Sequence, residues 1–318
     1  MTDDLFTSPD HFLHSFDGPD AIFVEMDRDA YHRSIFLDGR ISLAAEGSRR
    51  RSITELIASS PPALPVGWIF HMAHCGSTLL ARALDDPASN IIMREPVALR
   101  QTAIIGDRTR LPMVVAMLSK RYRADAPTII KANVPVNFLL DGLIELDPSA
   151  PAIFLHCELR DYLLAILRSD GHRAWLRTLT TRLAQYLGDL SGSSDARRVA
   201  ALWLAQTRAF ASAVDTMPRA RVIETEAFFA APAPIIERAA QHLGICSTKA
   251  TIDATINGGL LATYSKDSTI PFDNDARLAR RAALEVVLAP EIAEAQELVD
   301  QAGGKAAANR LAEARLAM

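Results

Sequence analysis

Between residues 67 and 169 the chain alternates short, unbroken apolar runs with amphipathic stretches, reading GWIFHM, STLLARALDD, NIIMRE, a helical stretch near 97 to 122, PTIIKANV, NFLLDGLIEL, PAIFLHC and RDYLLAILRS. Apolar runs with no polar alternation suit strands buried on both faces, and each is followed by enough chain to cross back over a sheet. The pattern predicts an α/β fold, a parallel sheet flanked by helices on both faces.

The flanks of this region are less regular. SSPPALPVG, residues 59 to 67, is too rich in proline to continue a helix and separates an N-terminal extension or cap, residues 1 to 65, from the main domain, residues 66 to 318. In the extension, AIFVEM and YHRSIFLDGRISL alternate as strands of a small hairpin layer would, and the basic run GSRRRS, 47 to 52, reads as a solvated loop. Past residue 169, TRLAQYLGDL and RRVAALWLAQTRAFASAVDTM are helical patterns around the polar SGSSD, and RARVIETEAFF is a further strand. PAPIIERAAQHLGI is a helix opened by proline and closed by Gly244, and residues 274 to 318 read as an Ala-rich packing helix.

Composition excludes several functions. Of 318 residues 49% are hydrophobic and 23% charged, enough to bury a large core in one elaborated domain or a domain with an extension. Thirty-four Lys and Arg against 38 Asp and Glu give a net charge of −4, so no global basic field points to nucleic acid or an anionic membrane, and any phosphate site must be local. Cys75, Cys157 and Cys246 are too few and too scattered for a disulfide framework, and no CxxC pair suggests a metal. The start, MTDDLFTSPDHF, lacks the basic-then-apolar order of a signal peptide, and no apolar run reaches the ~20 residues of a membrane span. A cytoplasmic location is the expectation.

The candidate chemistry lies where the first strand of the alternating region meets its helix. His74, Cys75, Gly76, Ser77 and Thr78 form a small-residue turn there. Helix N-termini present unpaired N–H groups and the positive end of the dipole, so a strand, a glycine turn and a helix in that order can hold a phosphate. The run is not GxxxxGK[ST], since Leu79 and Leu80 stand where a nucleotidase has its lysine and magnesium-binding hydroxyl. The alternative is an ordinary turn in which Ser77 or Thr78 caps the helix.

The turn resembles the 5′-phosphosulfate-binding loop of the sulfotransferase superfamily: a basic residue, a small residue, glycine, two hydroxyl residues and an apolar helix, matched here by His74, Cys75, Gly76, Ser77, Thr78 and Leu79. KANVP, Lys131 to Pro135, is similar to the K-T-H-L-P segment of cytosolic sulfotransferases. REP, Arg94 to Pro96, sets Glu95 twenty-one residues past His74, near the spacing of the catalytic glutamate in tyrosylprotein sulfotransferases. RVIETEAFF and the helix ending HLGI are similar to the strand, acidic turn and closing helix near that family's end. The resemblance covers roughly residues 66 to 246, and it implies a P-loop-like fold of the sulfotransferase type.

It also implies transfer of a sulfonate from 3′-phosphoadenosine 5′-phosphosulfate to a hydroxyl or amine, with no metal required. Glu95 would be the general base. Lys131 would neutralise the sulfonate or the leaving oxygen, and His74 would donate to the leaving group when protonated, with activity falling as pH rises. Asn133 stands where cytosolic members carry a catalytic histidine and would orient the acceptor, because an amide cannot remove a proton.

Aligning IFLHCELRDYLLAIL with the family's 3′-phosphate segment puts Cys157 where arginine is expected and Ala165 where serine is. Arg160 and Ser169 are the nearby substitutes, and Ser265 and Lys266 in TYSKDSTIPFDNDAR, 263 to 277, are candidates for a further phosphate loop. Two other readings stay open: an ATP-dependent phosphotransferase, and an inactive nucleotide-binding or scaffold protein. His71 and His156 read as satisfied core histidines, Cys75 and Cys157 as small apolar fillers, and Trp175 and Trp203 as core or as acceptor-pocket lining.

Overall fold

In the computed structural model, which describes residues 4–246 and 249–316, the chain opens with an antiparallel sheet of β1 (His11–Asp17), β2 (Asp20–Glu25) and β3 (Ala45–Ser52). YHRSIFLDGRISL does not supply a strand. Asp27 Oδ1 accepts from Ala30 N at 2.6 Å and starts the helix Arg28–Arg33 in its place. The third strand instead contains GSRRRS, the run expected to be a loop. As an edge strand it is solvated nearly throughout, and Arg49 and Arg50 are held extended by Glu25 on β2, Asp17 at the end of β1 and Asp20 at the start of β2, at 2.9, 2.7 and 3.2 Å. Charges along an edge also discourage pairing with other chains.

The main sheet contains β4 (Val66–His71), β5 (Ile91–Arg94), β6 (Thr128–Lys131), β7 (Ala152–His156) and β8 (Ala220–Glu224) in the order β5-β6-β4-β7-β8, all parallel. Every residue of β4 to β7 is buried, as expected of strands covered on both faces. On one face Trp68, Phe70 and Phe154 stack in sequence, with centroids 5.4 and 5.2 Å apart, and end against Phe210 of the helix Asp195–Thr216 at 4.9 Å. On the other, Gly67 lets Leu243 of the helix Pro232–Leu243 approach; a Cβ there would come within 3.1 Å of Leu243 and 2.7 Å of Ile129. The α/β architecture with helices on both faces is therefore the one the alternation predicts.

Local boundaries differ from the sequence pattern where chain-breaking residues act. The stretch near 97 to 122 is two helices, Val97–Ile105 and Leu111–Leu118, separated at Gly106. The C-terminal region is three, Asn274–Val287, Ala289–Gln301 and Gly304–Glu313, divided at Pro290 and Gly303. Between them and the main sheet lies a two-stranded hairpin, β9 (Thr263–Tyr264) and β10 (Asp267–Pro271). The last described residues return to β8, where Leu316 N donates to Val222 O at 2.8 Å and covers that edge.

The extension packs on the β5 side. Leu37 N donates to Arg94 O at 2.8 Å, Gln101 brackets Phe16 through both its backbone groups at 2.7 and 3.0 Å, and the buried Lys120 ammonium donates to the Leu5 and His11 carbonyls. Phe12, Leu13 and Phe23 belong to the same apolar cluster as β4 and β7. From β4 the chain crosses first to β5 and later to β7 on the opposite flank, so a switch point lies at the C-terminal end of β4.

Candidate active site

At the end of β4, Met72 N still donates to Leu155 O at 3.1 Å; the chain then turns through two left-handed residues, His74 (φ 63°) and Gly76 (φ 83°), into the helix Ser77–Ala83. Gly76 cannot be replaced at no cost, because a Cβ would lie 3.1 Å from Phe229 and 3.2 Å from Phe228. No side chain caps this helix: its N-cap is Gly76 itself, and Ser77 and Thr78 are buried within its first turn. The capped-turn alternative is therefore not what forms.

Glu95 follows β5 directly and is the other non-glycine residue with positive φ among those described, at 59°. Strain of this kind persists only where the surroundings fix it, and His74 and Glu95 line the same cavity. Lys131, fully buried at the end of β6, donates its ammonium to Glu95 Oε1; Asn133 Nδ2 donates to Oε2 at 3.2 Å. His71 donates through Nδ1 to Met72 O at 2.8 Å, which leaves Nε2 buried, unpartnered and 3.7 Å from Glu95 Oε1. Asn133 Oδ1 is likewise buried without a partner.

Burial alone would raise the Glu95 carboxyl, but the Lys131 ammonium outweighs it and brings the pKa down to about 2, so Glu95 is a carboxylate. Burial, with Lys131 adding to it, pushes His71 down to about 3. His74 falls to about 2, chiefly by burial and then by the charges of Lys266 and Arg168. It is thus neutral at pH 7 here, not the partly charged donor that an unperturbed imidazole would be. Cys75 is buried, and burial lifts its thiol to about 11; Cys157 is raised by burial as well, as befits two small apolar fillers.

These groups open into a cavity of about 920 Å³ along the C-terminal edge of the sheet. The whole run from His74 to Leu79 lines it, with Glu95, Ser169, Ser265 and Lys266, while Lys131 and Asn133 are buried against Glu95. The hairpin turn carrying Ser265 and Lys266 is tied to the helix after the glycine turn by Arg82 Nη1, which donates to Ser265 O at 3.0 Å. Arg160 is not brought to the cavity; it is exposed and paired with Glu285. Cys157 and Ala165 both line the wall and offer no charge.

Sequence reasoning missed several cavity residues. Arg168 lies one turn past Ala165, with Nε 3.1 Å from His172 Nε2, and His172 faces the His74 ring at a centroid distance of 4.8 Å. Trp175, 37% exposed, lies 6.0 Å from His74, whereas Trp203 is core and donates Nε1 to Cys157 O at 2.9 Å. The spacing of Arg168 and His172, four residues apart across a helix start, was the available signal. Arg40, Arg100 and Arg277 are also part of the lining, which holds seven Arg or Lys side chains against five carboxylates and so favours an anionic occupant.

No family model matches this chain, and no curated protein matches it. Among solved structures it is similar to a sulfotransferase from Alicyclobacillus acidocaldarius, at 17% identity over 75% of this chain and 96% of that one, with a TM-score of 0.38. The likeness is remote, and what the cavity does has to be read from this chain's own residues.

Proposed function

We propose that this protein is a sulfotransferase, moving a sulfonate from 3′-phosphoadenosine 5′-phosphosulfate to a hydroxyl or amine of a small acceptor. The observation that supports it best is the meeting, in one positively charged cavity, of an uncapped glycine turn and a buried Lys131–Glu95 pair. The donor supplies an already activated sulfonate: an O–S bond to a hydroxyl acceptor, or an N–S bond to an amine, forms as the S–O bond to the 5′-phosphate breaks, with its electron pair leaving on the phosphate. This chain's residues then have to position and neutralise.

The N–H groups from Gly76 to Leu79 hold the 5′-phosphate. Glu95 takes the acceptor proton. While Lys131 is bonded to it, Glu95 is a weak base; when the ammonium turns toward the sulfonate, Glu95 loses its counter-charge and rises toward the ordinary carboxylate range. Asn133 keeps the freed carboxylate oriented, acting as a positioning residue. Arg168 and Lys266 take the 3′-phosphate in place of the missing arginine and serine, since both lie at the cavity and leave the uncharged Cys157 and Ala165 as plain wall.

Calorimetric titration with 3′-phosphoadenosine 5′-phosphate, beside ATP with magnesium, tests this reading. Micromolar binding of the bisphosphate is expected, lost in Gly76→Asp and retained in Glu95→Gln, which lowers sulfonate transfer about 10²- to 10⁴-fold. A preference for magnesium ATP would replace the reading with a phosphotransferase, and silence from both ligands would leave a scaffold.

A further inference from the structure

The sheet order divides the cavity. Residues following β7 and β8 lie on one side of the glycine turn, residues following β5 and β6 on the other. If the donor occupies the turn and the β7 flank, as proposed above, the acceptor is left with the β5 flank, where Glu95 and Val134 stand. The third wall of that half comes from the N-terminal extension. The Leu37 N to Arg94 O hydrogen bond pins residues 36 to 40 beside the end of β5, and Phe36, Asp38 and Arg40 all line the cavity.

Charge on this flank does not balance. Lys131 and Glu95 neutralise each other, and Arg40 is bidentate on Asp38 through Nε at 2.9 Å and Nη2 at 2.6 Å while lying 3.9 Å over the Phe36 ring. That leaves Arg100, half-buried on the helix Val97–Ile105, whose guanidinium makes no hydrogen bond or ion pair with any described residue. Arg40 Nη1 is free in the same sense. Arg100 feels the charge of Asp38 without being bonded to it, and lines the same cavity as Glu95; an arginine with its donors unused can take an oxyanion, and its planar fork suits carboxylate and phosphate alike.

We propose that the acceptor is an anionic small molecule whose carboxylate or phosphate ester is gripped by Arg100 and the free edge of Arg40, with its hydroxyl or amine presented to Glu95. The inference rests on the sulfotransferase reading for the word acceptor, but not for the anion site itself. Residues 36 to 40 thereby give the extension a part in acceptor selection.

The experiment uses the full chain and two matched pairs: 4-hydroxybenzoate against its methyl ester, and glucose 6-phosphate against glucose. Each is titrated calorimetrically with the bisphosphate present, and each is offered to ³⁵S-labelled donor. The charged member of at least one pair should bind tenfold or more tightly than its neutral partner. That pair then distinguishes a carboxylate site from a phosphate site.

Arg100→Gln should bring the ratio close to one, Arg100→Lys should restore part of it, and bisphosphate binding should be the same in both variants as in the parent chain. Arg40→Gln gives a second reading should Arg100→Gln fail to fold. Equal binding within both pairs, binding by none of the four compounds at millimolar concentration, or a preference that survives Arg100→Gln would overturn the proposal. Failure of the sulfotransferase reading looks different: no bisphosphate binding and no label transfer, with the charge preference intact.

Discussion

Arg94 and Lys131 are register partners on β5 and β6, both cut off from water, and they are used in opposite ways. Arg94 donates from all three guanidinium nitrogens: Nε to Ser34 O at 2.9 Å, Nη1 to Asp85 at 2.8 Å, and Nη2 to the Tyr31 and His32 carbonyls at 2.5 and 2.9 Å. All but one of those acceptors come from the extension, so Arg94 joins it to the sheet. Lys131 has Glu95 as its only hydrogen-bond partner among the described residues, and the groups around that pair, His71 Nε2 and Asn133 Oδ1, are buried and unsatisfied. A buried cation tied down by four hydrogen bonds holds a fold together. One that is left short of partners, among neighbours equally short, is poised for a ligand.

The largest expected effect separates the two directly. Lys131→Met should lower sulfonate transfer about 10²- to 10³-fold, as the loss of one oxyanion-stabilising donor does. The double variant Lys131→Met/Glu95→Gln, which removes both charges, should stay within about 1 kcal/mol of the parent in urea unfolding while remaining inactive, because a buried pair contributes little net stability. A double variant still destabilised by several kcal/mol would make the pair structural and erase the contrast.

Arg94→Met should show the reverse. Leaving Asp85 with His32 alone, and three backbone carbonyls without the Arg94 donor, should cost about 3–5 kcal/mol. Adding Asp85→Asn should not recover it, since the Ser34, Tyr31 and His32 carbonyls remain orphaned. Full recovery in that double variant would reduce Arg94 to one more ion pair.

Much of this was legible in the sequence, and the reasons for the rest are physical. Strands buried on both faces declare themselves by composition alone, so β4 to β7 and the glycine turn between β4 and its helix were readable, as was Glu95 at a strand end. Pairing across strands was not. Sheet register brings Lys131 alongside Glu95, and the extension accepts three of the four hydrogen bonds that Arg94 donates. No cavity role was read for Arg100 or Arg168, because nothing local marks an arginine that lines a cavity. The GSRRRS strand was hidden because its stability comes from carboxylates on β1 and β2, distant in the chain.

The smallest effect concerns protons, and it contrasts a core histidine with those at the site. Burial holds His156 down to about 4, alongside His71 at about 3 and His74 at about 2. Each is a base whose folded pKa lies below its unfolded value near ~6.5. The unfolded chain therefore binds more protons as pH falls below that value, and stability is lost from pH 6.5 downward. The loss continues to about pH 4 for His156 and further for the other two. Glu95 does not oppose this, since its depressed pKa of about 2 contributes stability that is given up only below pH 4.5. Each histidine adds a slope approaching about 1.4 kcal/mol per pH unit in the window from pH 6 to 4.5. His156→Phe should remove one histidine's share of that slope in urea titrations at several pH values. Saturating bisphosphate should also flatten it, by bringing phosphate charge to His74 and raising its folded pKa. A slope that His156→Phe leaves intact would mean that core histidines do not set the acid limit, and one indifferent to the bisphosphate would argue against the proposed phosphate site at the glycine turn.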